Sequence, residues 1–208
     1  MRKSIQIILL LTCFVLGIVI SIRYQNSNNT TSTDTLVFQA PKSLPAFSVL
    51  DQNGKVVNNQ VLNGHWSFVF FGFTNCPDVC PNTLSILSEV QNRFSVKNNQ
   101  PQIILVSVDP MRDTPELLKT YINSFSRNIL GFTGELHQIQ VLTDALGVAY
   151  AYNAMPDGSY TVDHTAAIFI INPDGEYQGI YTGSLAAQHA IETLSRDFEI
   201  ISRQYVKN

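Results

Sequence analysis

The sequence predicts an α/β fold in which one mixed sheet is flanked by helices. The apolar run Trp66–Phe71 indicates a buried strand, and the residues after it have helical spacing. The apolar run Gln102–Val108 is again followed by a helical pattern. Two further predicted strands, Ala166–Ile171 and Tyr177–Tyr181, flank an Asn-Pro-Asp-Gly turn and precede a last helical stripe. A βαβ unit followed by a ββα unit on one mixed sheet is the thioredoxin-like arrangement.

The chain begins with a predicted transmembrane helix. Residues 5–22 are almost continuously apolar, and about twenty such residues are needed for a helix to cross a bilayer. Arg2 and Lys3 precede the run, so the positive-inside bias places the N-terminus in the cytoplasm. A cleaved signal peptide is the alternative, although the run is long for one and lacks an Ala-x-Ala-like site. Cys13 is interpreted as an inert residue of the helix, because Thr12 is a poor residue before a lipoprotein cleavage site.

We expect three regions along the chain. Residues 1–23 form the membrane anchor, which crosses a bacterial inner membrane once. Residues 24–44 form a flexible tether, because Asn, Ser and Thr are abundant there without periodicity. Residues 45–208 form the thioredoxin-like domain in the periplasm. The start of the chain lacks the Arg- and Ser-rich pattern of an organelle transit peptide, which favours a bacterial membrane over a mitochondrial one.

Turn and capping residues predict the order of elements within the domain. Asp51-Gln52-Asn53-Gly54 separates two short apolar stretches and predicts an N-terminal β-hairpin. Thr114 and Pro115 are residue types of an N-cap and a first helical position, so a helix is expected to begin there. The remaining elements are predicted from apolar spacing: short strands at 129–132, 148–152 and 160–162, and helices at 136–146 and 187–201.

The composition excludes some classes of function. The 208 residues suffice for one domain with appendages, and 45% of them are hydrophobic, as in an ordinary packed core. The formal net charge is −3, without a basic face, so no nucleic-acid partner is expected. Of the three cysteines, one lies in the predicted membrane helix, which leaves a single close pair rather than a disulfide framework.

That pair, Cys76 and Cys80, lies at the predicted turn from the first core strand to the first helix. Domains of the α/β class place their chemistry there, beyond the carboxyl ends of the strands. Pro81 favours a helix start, and the N–H groups and dipole of a helix N-terminus favour thiolate over thiol. Two thiolates at this spacing can close a disulfide or share a metal ion, and two inert structural cysteines are a third alternative. The pair alone does not choose between them.

His164 stands out among the four histidines by its place. It precedes the predicted strand 166–171, in a loop that faces the cysteine turn in a thioredoxin-like sheet. The other three histidines are interpreted as ordinary polar positions. Disulfide enzymes of the thioredoxin type carry a cis-proline in this loop, but no proline occurs between Pro156 and Pro173. This difference leaves room for an imidazole that faces two thiolates.

The chemistry of these three donors favours copper. Thiolates select Cu(I), zinc or iron–sulfur clusters, and imidazole suits copper and zinc. A structural zinc site requires four ligands, whereas this sequence offers three obvious ones. Three ligands fit a copper ion of low coordination number and leave a position through which the ion can be passed on. The residues do not decide between Cu(I) and Cu(II).

Three blocks of the sequence resemble the Sco/SenC family, whose members are assembly factors for cytochrome c oxidase. Residues 71–81 resemble the copper motif of that family, and residues 107–115 resemble its second block. Residues 162–165, followed by 172–175, resemble its third block. The sequence departs from the motif at Asn75, where many members have His. Because that position is not a ligand in the family, we expect copper binding to persist.

The resemblance implies that Cys76, Cys80 and His164 are copper ligands. It also implies that Cys76 and Cys80 can form a redox-active disulfide. Asp78 and Asp163 flank these ligands in the sequence. They either form a second shell, which orients the ligands or contacts a partner, or are ordinary solvated carboxylates.

The resemblance also implies a function. We expect a membrane-anchored copper metallochaperone, not an enzyme, that assists assembly of the binuclear copper A site of cytochrome c oxidase. The expected partner is oxidase subunit II, together with other periplasmic copper chaperones or thioredoxin-like reductases. The alternative is a thiol–disulfide oxidoreductase or redox sensor that uses the same cysteines. Only the chaperone strictly requires His164. Asp109, Arg112 and Asp113 in the second block either brace the site or serve the fold alone.

Overall fold

A computed structural model describes residues 13–18, 31–94 and 99–205. Residues 13–18 are helical and belong to the predicted transmembrane helix, the rest of which lies outside the described residues. Of the helices that the structure describes, none combines the length and the apolar character needed to cross a membrane.

The described residues form one large mixed sheet and one separate hairpin. The strands of the sheet are β1 (Thr35–Ser43), β2 (Ser48–Asp51), β3 (Val56–Asn58), β4 (Ser67–Gly72), β5 (Gln102–Ser107), β6 (Ile129–Thr133), β9 (Ile168–Ile171) and β10 (Glu176–Tyr181). Their order across the sheet is β1-β10-β9-β4-β5-β6-β2-β3. Strands β4, β5 and β6 are parallel, β9 is antiparallel to β4, and β10 is antiparallel to β9.

Helices cover both faces of the sheet. All six residues of β4 are buried, which is expected for a central strand covered on both sides. Phe68 contacts Phe198 edge-on, with ring centroids 5.0 Å apart, whereas the next residue, Val69, lines a small apolar cavity with Leu142. The helices are α1 (Val79–Arg93), α2 (Pro115–Asn123), α3 (Leu136–Leu146) and α4 (Ala187–Gln204), with a short 3₁₀ helix at Asn59–Leu62.

The predicted mixed α/β architecture is confirmed at the elements that carry the clearest signals. Strands β2 and β3 form the predicted N-terminal hairpin, in which the backbone N–H groups of Asn53 and Lys55 donate to the Asp51 carboxylate. The unit β4–α1–β5 is the predicted βαβ crossover. Helix α2 begins at Pro115, and the Thr114 hydroxyl caps it by accepting from the N–H of Leu117.

The prediction of a flexible tether at residues 24–44 is wrong for the C-terminal part of that range. Residues Thr35–Ser43 form β1, which pairs with β10 at the edge of the sheet. The sequence of this strand lacks clean alternation and contains Pro41, which sheets tolerate on edge strands. Its pairing therefore depends on β10, which is remote in sequence. Residues 24–30 lie outside the described residues.

A buried carboxylate on helix α4 holds the start of β1 and the residues just before it. Asp197 is fully buried, and it accepts hydrogen bonds from the Ser32 N–H at 2.9 Å and from the Thr35 hydroxyl at 2.6 Å. Nearby, the His189 ring lies 2.8 Å from the Asp34 carboxylate. The chain is therefore held in place from Ser32 onward.

The separate hairpin consists of β7 (Tyr150–Ala154) and β8 (Tyr160–His164). These strands pair antiparallel, with Tyr150 opposite His164. His164 is thus the last residue of a strand, rather than part of a loop before the next strand as the sequence predicts. Three residues, 165–167, connect it to β9.

Candidate metal centre

The fold brings Cys76, Cys80 and His164 together. Cys76 lies in the turn between β4 and α1, Cys80 lies in the first turn of α1, and His164 lies at the end of β8. The sulfur atoms and one ring nitrogen all lie within 4.8 Å of one another. Both cysteines are free thiols; Cys80 is buried and Cys76 is partly exposed. No other group of three such residues that could hold an ion is found in the described ranges.

The position of Cys80 depends on the absence of a side chain at Gly72, the last residue of β4. A Cβ atom at Gly72 would lie 2.9 Å from the Cys80 sulfur and 2.9 Å from the Phe70 ring. The backbone N–H of Cys80 donates to the Cys76 sulfur at 3.4 Å. The first turn of α1 therefore supplies a hydrogen bond that holds the two cysteines close together.

The His164 ring presents one nitrogen to the cysteines. Its Nδ1 lies 3.2 Å from the carbonyl oxygen of Thr165, a contact that requires Nδ1 to carry the proton. Its Nε2, which then has a free lone pair, lies 3.4 Å from the Cys80 sulfur. The rings of Phe70 and Phe73 lie edge-on to the imidazole, with centroids 5.8 and 5.9 Å away. These contacts orient the imidazole so that Nε2 faces the cysteines.

The chain matches the model of a known protein family over most of its length. The family model described as SCO1/SenC matches residues 38–199. The chain belongs to the SCO1/SenC family. It is 34% identical over 153 residues to a SCO2-like protein of Rickettsia prowazekii (strain Madrid E), covering 73% of this chain and 75% of that protein. The family resemblance drawn from the three sequence blocks is thus confirmed.

Solved SCO1/SenC structures have the same fold. The structure of Bradyrhizobium japonicum ScoI with copper bound is 35% identical, with a TM-score of 0.65, and the match covers 74% of this chain and 98% of that one. The crystal structure of Arabidopsis thaliana ScoI with copper bound is 27% identical, with a TM-score of 0.70, and the match covers 77% and 98%. The thioredoxin-like assignment is therefore confirmed for the described domain.

The protonation states of this SCO1/SenC site follow from burial. Burial lowers the pKa of His164 more than the Thr165 carbonyl and the Asp163 charge raise it, so the ring is neutral near pH 7. Burial, and then the Cys76 side chain, raise the pKa of the Cys80 thiol. The pKa of Cys80 in the metal-free protein therefore moves in the direction opposite to the one expected from the helix N-terminus, because the sulfur is buried.

The three donor atoms fit a soft metal ion. Ligand atoms about 2.0–2.3 Å from an ion lie within roughly 4.6 Å of one another, which is close to the observed spread. The neutral Nε2 is ready to bind, whereas the Cys80 thiol must first lose its proton. Cys76 and His164 line an open cleft of about 430 Å³, through which an ion can enter.

The two carboxylates proposed from the sequence as a second shell lie at the rim of this cleft. Asp78 is exposed, and its side chain makes no capping hydrogen bond to α1. Asp163 is exposed and accepts a hydrogen bond from the Asn153 amide at 2.7 Å. Within the described part of the chain, neither side chain hydrogen-bonds to Cys76, Cys80 or His164. A second-shell role for either residue stays a prediction.

A third carboxylate, Asp113, holds the loop that carries the cysteines. It is fully buried and accepts hydrogen bonds from the Thr74 N–H at 3.0 Å, the Thr74 hydroxyl at 2.6 Å and the Ser107 hydroxyl at 2.6 Å. Burial raises the pKa of Asp113, and these hydrogen bonds act in the opposite direction. Asp113 therefore joins the residue two positions before Cys76 to the end of β5.

Sequence reasoning missed the residues that shape the site without binding an ion. Gly72, Phe70 and Phe73 belong to the apolar strand and the cysteine motif, and in the sequence each is an ordinary member of its pattern. A glycine that ends a buried strand just before a cysteine pair was the available signal for close packing. Thr74 carried no such signal, because its partner Asp113 is 39 residues away.

Proposed function

We propose that this protein is a copper metallochaperone in which Cys76, Cys80 and His164 hold the ion. The observation that carries this proposal is the convergence of two sulfur atoms and one imidazole nitrogen within 4.8 Å at the mouth of a cleft. Two thiolates with one neutral imidazole favour copper, and Cu(I) is the oxidation state that thiolates prefer. Cu(II) is the second state to be tested.

The same geometry supports transfer of the ion rather than permanent storage. Three protein ligands leave a position at which a donor atom of an acceptor protein can bind. The exposed part of Cys76 lies on the open side of the site, whereas Cys80 lies on the buried side. An acceptor would therefore displace Cys76 or His164 before Cys80.

We propose the binuclear copper A site of cytochrome c oxidase subunit II as the recipient. Membership of the SCO1/SenC family supports this assignment. Other periplasmic copper chaperones or thioredoxin-like reductases would load copper or reduce the cysteines. The apolar run at residues 5–22 would anchor the chain in a bacterial inner membrane, with the domain in the periplasm.

A thiol–disulfide oxidoreductase or redox sensor is the second candidate. The observation that favours it is the proximity of two free thiols at a strand–helix turn. One observation favours the chaperone instead. The Nε2 of His164 faces the Cys80 sulfur at 3.4 Å, and an imidazole has no necessary part in disulfide exchange.

Metal analysis of the reduced protein tests the copper site. The reduced wild-type protein should hold one copper ion per chain, and the Cys76→Ala or Cys80→Ala variant should lose tight binding, because the site has no spare ligand. The oxidised protein should not take up copper, because a disulfide cannot supply two thiolates. Stoichiometric copper in the double cysteine variant would refute the site.

The His164→Ala variant separates the two candidate functions. Copper retention and oxidase maturation should both fall, while disulfide exchange by Cys76 and Cys80 should stay close to wild type. The matched control is His137→Ala, which removes an exposed histidine from α3. Normal oxidase activity in a His164→Ala strain grown at limiting copper would support the oxidoreductase.

A further inference from the structure

The hairpin that carries His164 is not part of the main sheet. Strands β7 and β8 pair with each other and with no other strand in the described part of the chain. Backbone pairing with β4 or β9 therefore does not fix His164 relative to the cysteines. Its position depends on the connection to β9 and on side-chain contacts between the hairpin and the sheet.

Arg112 supplies the most direct of these contacts. Its Nη1 donates to the carbonyl oxygen of Tyr160, the first residue of β8, at 2.9 Å. Its guanidinium carbon lies 3.9 Å from the centroid of the Tyr160 ring, which is a cation–π contact. One arginine therefore holds both the backbone and the side chain of the strand that ends at His164.

The Arg112 side chain is itself fixed by a buried carboxylate. Its Nε donates to Asp109, which is fully buried, and the Tyr160 hydroxyl donates to the other Asp109 oxygen at 2.8 Å. A second hairpin tyrosine, Tyr152, donates to the carbonyl oxygen of Val108 at 2.7 Å. The loop that follows β5 thus binds the hairpin through three hydrogen bonds.

The same loop also holds the cysteine segment. Asp113, four residues after Asp109, accepts hydrogen bonds from the backbone and the hydroxyl of Thr74. The N–H of Asp113 donates to the carbonyl oxygen of Asp109 at 2.9 Å, which closes the loop into a tight turn. Residues 109–113 therefore contact both segments that carry the candidate ligands.

We propose that Arg112 is a positioning residue for the metal centre, acting through the Tyr160–His164 strand. It keeps the imidazole within reach of an ion held by the two cysteines, without touching the ion. The proposal rests on the proposed copper site. A purely structural role is the competing explanation, because removing a partner of a buried carboxylate also destabilises a fold.

A double-mutant cycle with His164 distinguishes these explanations. Arg112→Gln should weaken Cu(I) binding by roughly tenfold, as is typical for residues that orient a metal ligand. In the His164→Ala background, Arg112→Gln should cause no further loss, because the residue through which it acts is already gone. The readout is competition with a chromophoric Cu(I) chelator. Equal losses in both backgrounds, or no loss in the wild-type background, would overturn the proposal.

Two variants complete this design. Arg203→Gln is the matched control, because it removes an exposed arginine whose partner, Glu199, lies one turn away on α4. If Arg112→Gln does not fold, Tyr160→Phe takes its place. That change removes the hydrogen bond to Asp109 and keeps the aromatic ring, and its smaller loss of affinity should likewise vanish in the His164→Ala background.

Hydrogen exchange in the metal-free protein tests the proposal without copper. Arg112→Gln, or Tyr160→Phe in its place, should speed exchange at the hairpin amides of residues 150–164, while β4 and β5 stay as protected as in the wild type. Unchanged hairpin exchange would overturn the proposal, even if copper binds as proposed. Failure of the wild-type protein to bind copper would refute the proposed function, and the exchange result would still report on the contact.

Discussion

At the scale of single residues, Gly72 determines how closely β4 can approach the metal centre. The Gly72→Ala variant should lose about 1–3 kcal/mol of unfolding free energy, because its Cβ would overlap the Cys80 sulfur and the Phe70 ring. Displacement of that sulfur should also weaken copper binding. Urea unfolding and chelator competition measure the two effects.

The control for this substitution is Gly131→Ala on β6. A Cβ there would lie 2.7 Å from the Leu118 side chain, so the crowding is similar but falls on α2 rather than on a cysteine. This variant should lose a comparable free energy of unfolding and keep the copper affinity of the wild type. Equal copper affinities in the two variants would contradict the role assigned to Gly72.

The Cys80 thiol should make copper binding depend on pH. Burial raises its pKa, so in the metal-free protein the thiol carries a proton at neutral pH that copper must displace. Binding should therefore tighten as pH rises, by about tenfold per pH unit for each proton released. His164 adds little above neutrality, because its lowered pKa leaves the ring already neutral. Chelator competition between about pH 6 and pH 8 measures the slope, and an affinity independent of pH would refute this assignment.

At the scale of elements, Asp197 on α4 stabilises the start of β1 and the residues just before it. Asp197→Ala removes the carboxylate, so the Ser32 N–H and the Thr35 hydroxyl lose their hydrogen-bond acceptor. We expect a loss of roughly 2 kcal/mol in the free energy of unfolding, measured by urea denaturation. Glu192→Ala, an exposed change on the same helix, should have little effect. Equal stabilities of the two variants would show that this contact adds nothing.

The elements that the sequence predicts well are those whose signals are local. Strands β4 and β5 are continuous apolar runs, and α2 begins at a Thr-Pro pair, so their positions follow from short windows. Strand β1 was missed because it is an edge strand that depends on β10. The strands of the β7–β8 hairpin were predicted, but their separation from the main sheet depends on tertiary contacts that no short window contains.

The same distinction applies to the candidate site. Cys76 and Cys80 lie in one motif, and His164 could be placed beside them once the order of strands suggested a thioredoxin-like sheet. The contact between Arg112 and Tyr160 spans 48 residues, so nothing in either local sequence indicates it. Burial of Cys80, which reverses the expected direction of its pKa, likewise arises only from packing.

At the scale of the whole molecule, the proposed membrane anchor and its orientation are open to a direct test. The basic residues before the apolar run predict a cytoplasmic N-terminus and a periplasmic domain. A reporter enzyme that is active only outside the cytoplasm, fused after Asn208, should therefore be active. An inactive reporter would contradict this orientation, and recovery of a chain cut near residue 22 would replace the anchor with a cleaved signal peptide.

The two ends of the described domain lie at opposite ends of the strands of the sheet. Strand β10 runs in the same direction as β4, so both strands finish at the end of the sheet that carries Cys76 and Cys80. Thr35, the first residue of β1, pairs with Tyr181 at the end of β10 and therefore also lies at that end. Tyr205 contacts Trp66, just before β4 begins. A label or surface coupling placed beyond Tyr205 would therefore leave the cysteine end of the sheet facing solution. An attachment just before Ser32 would place the label or the surface beside the cysteine end.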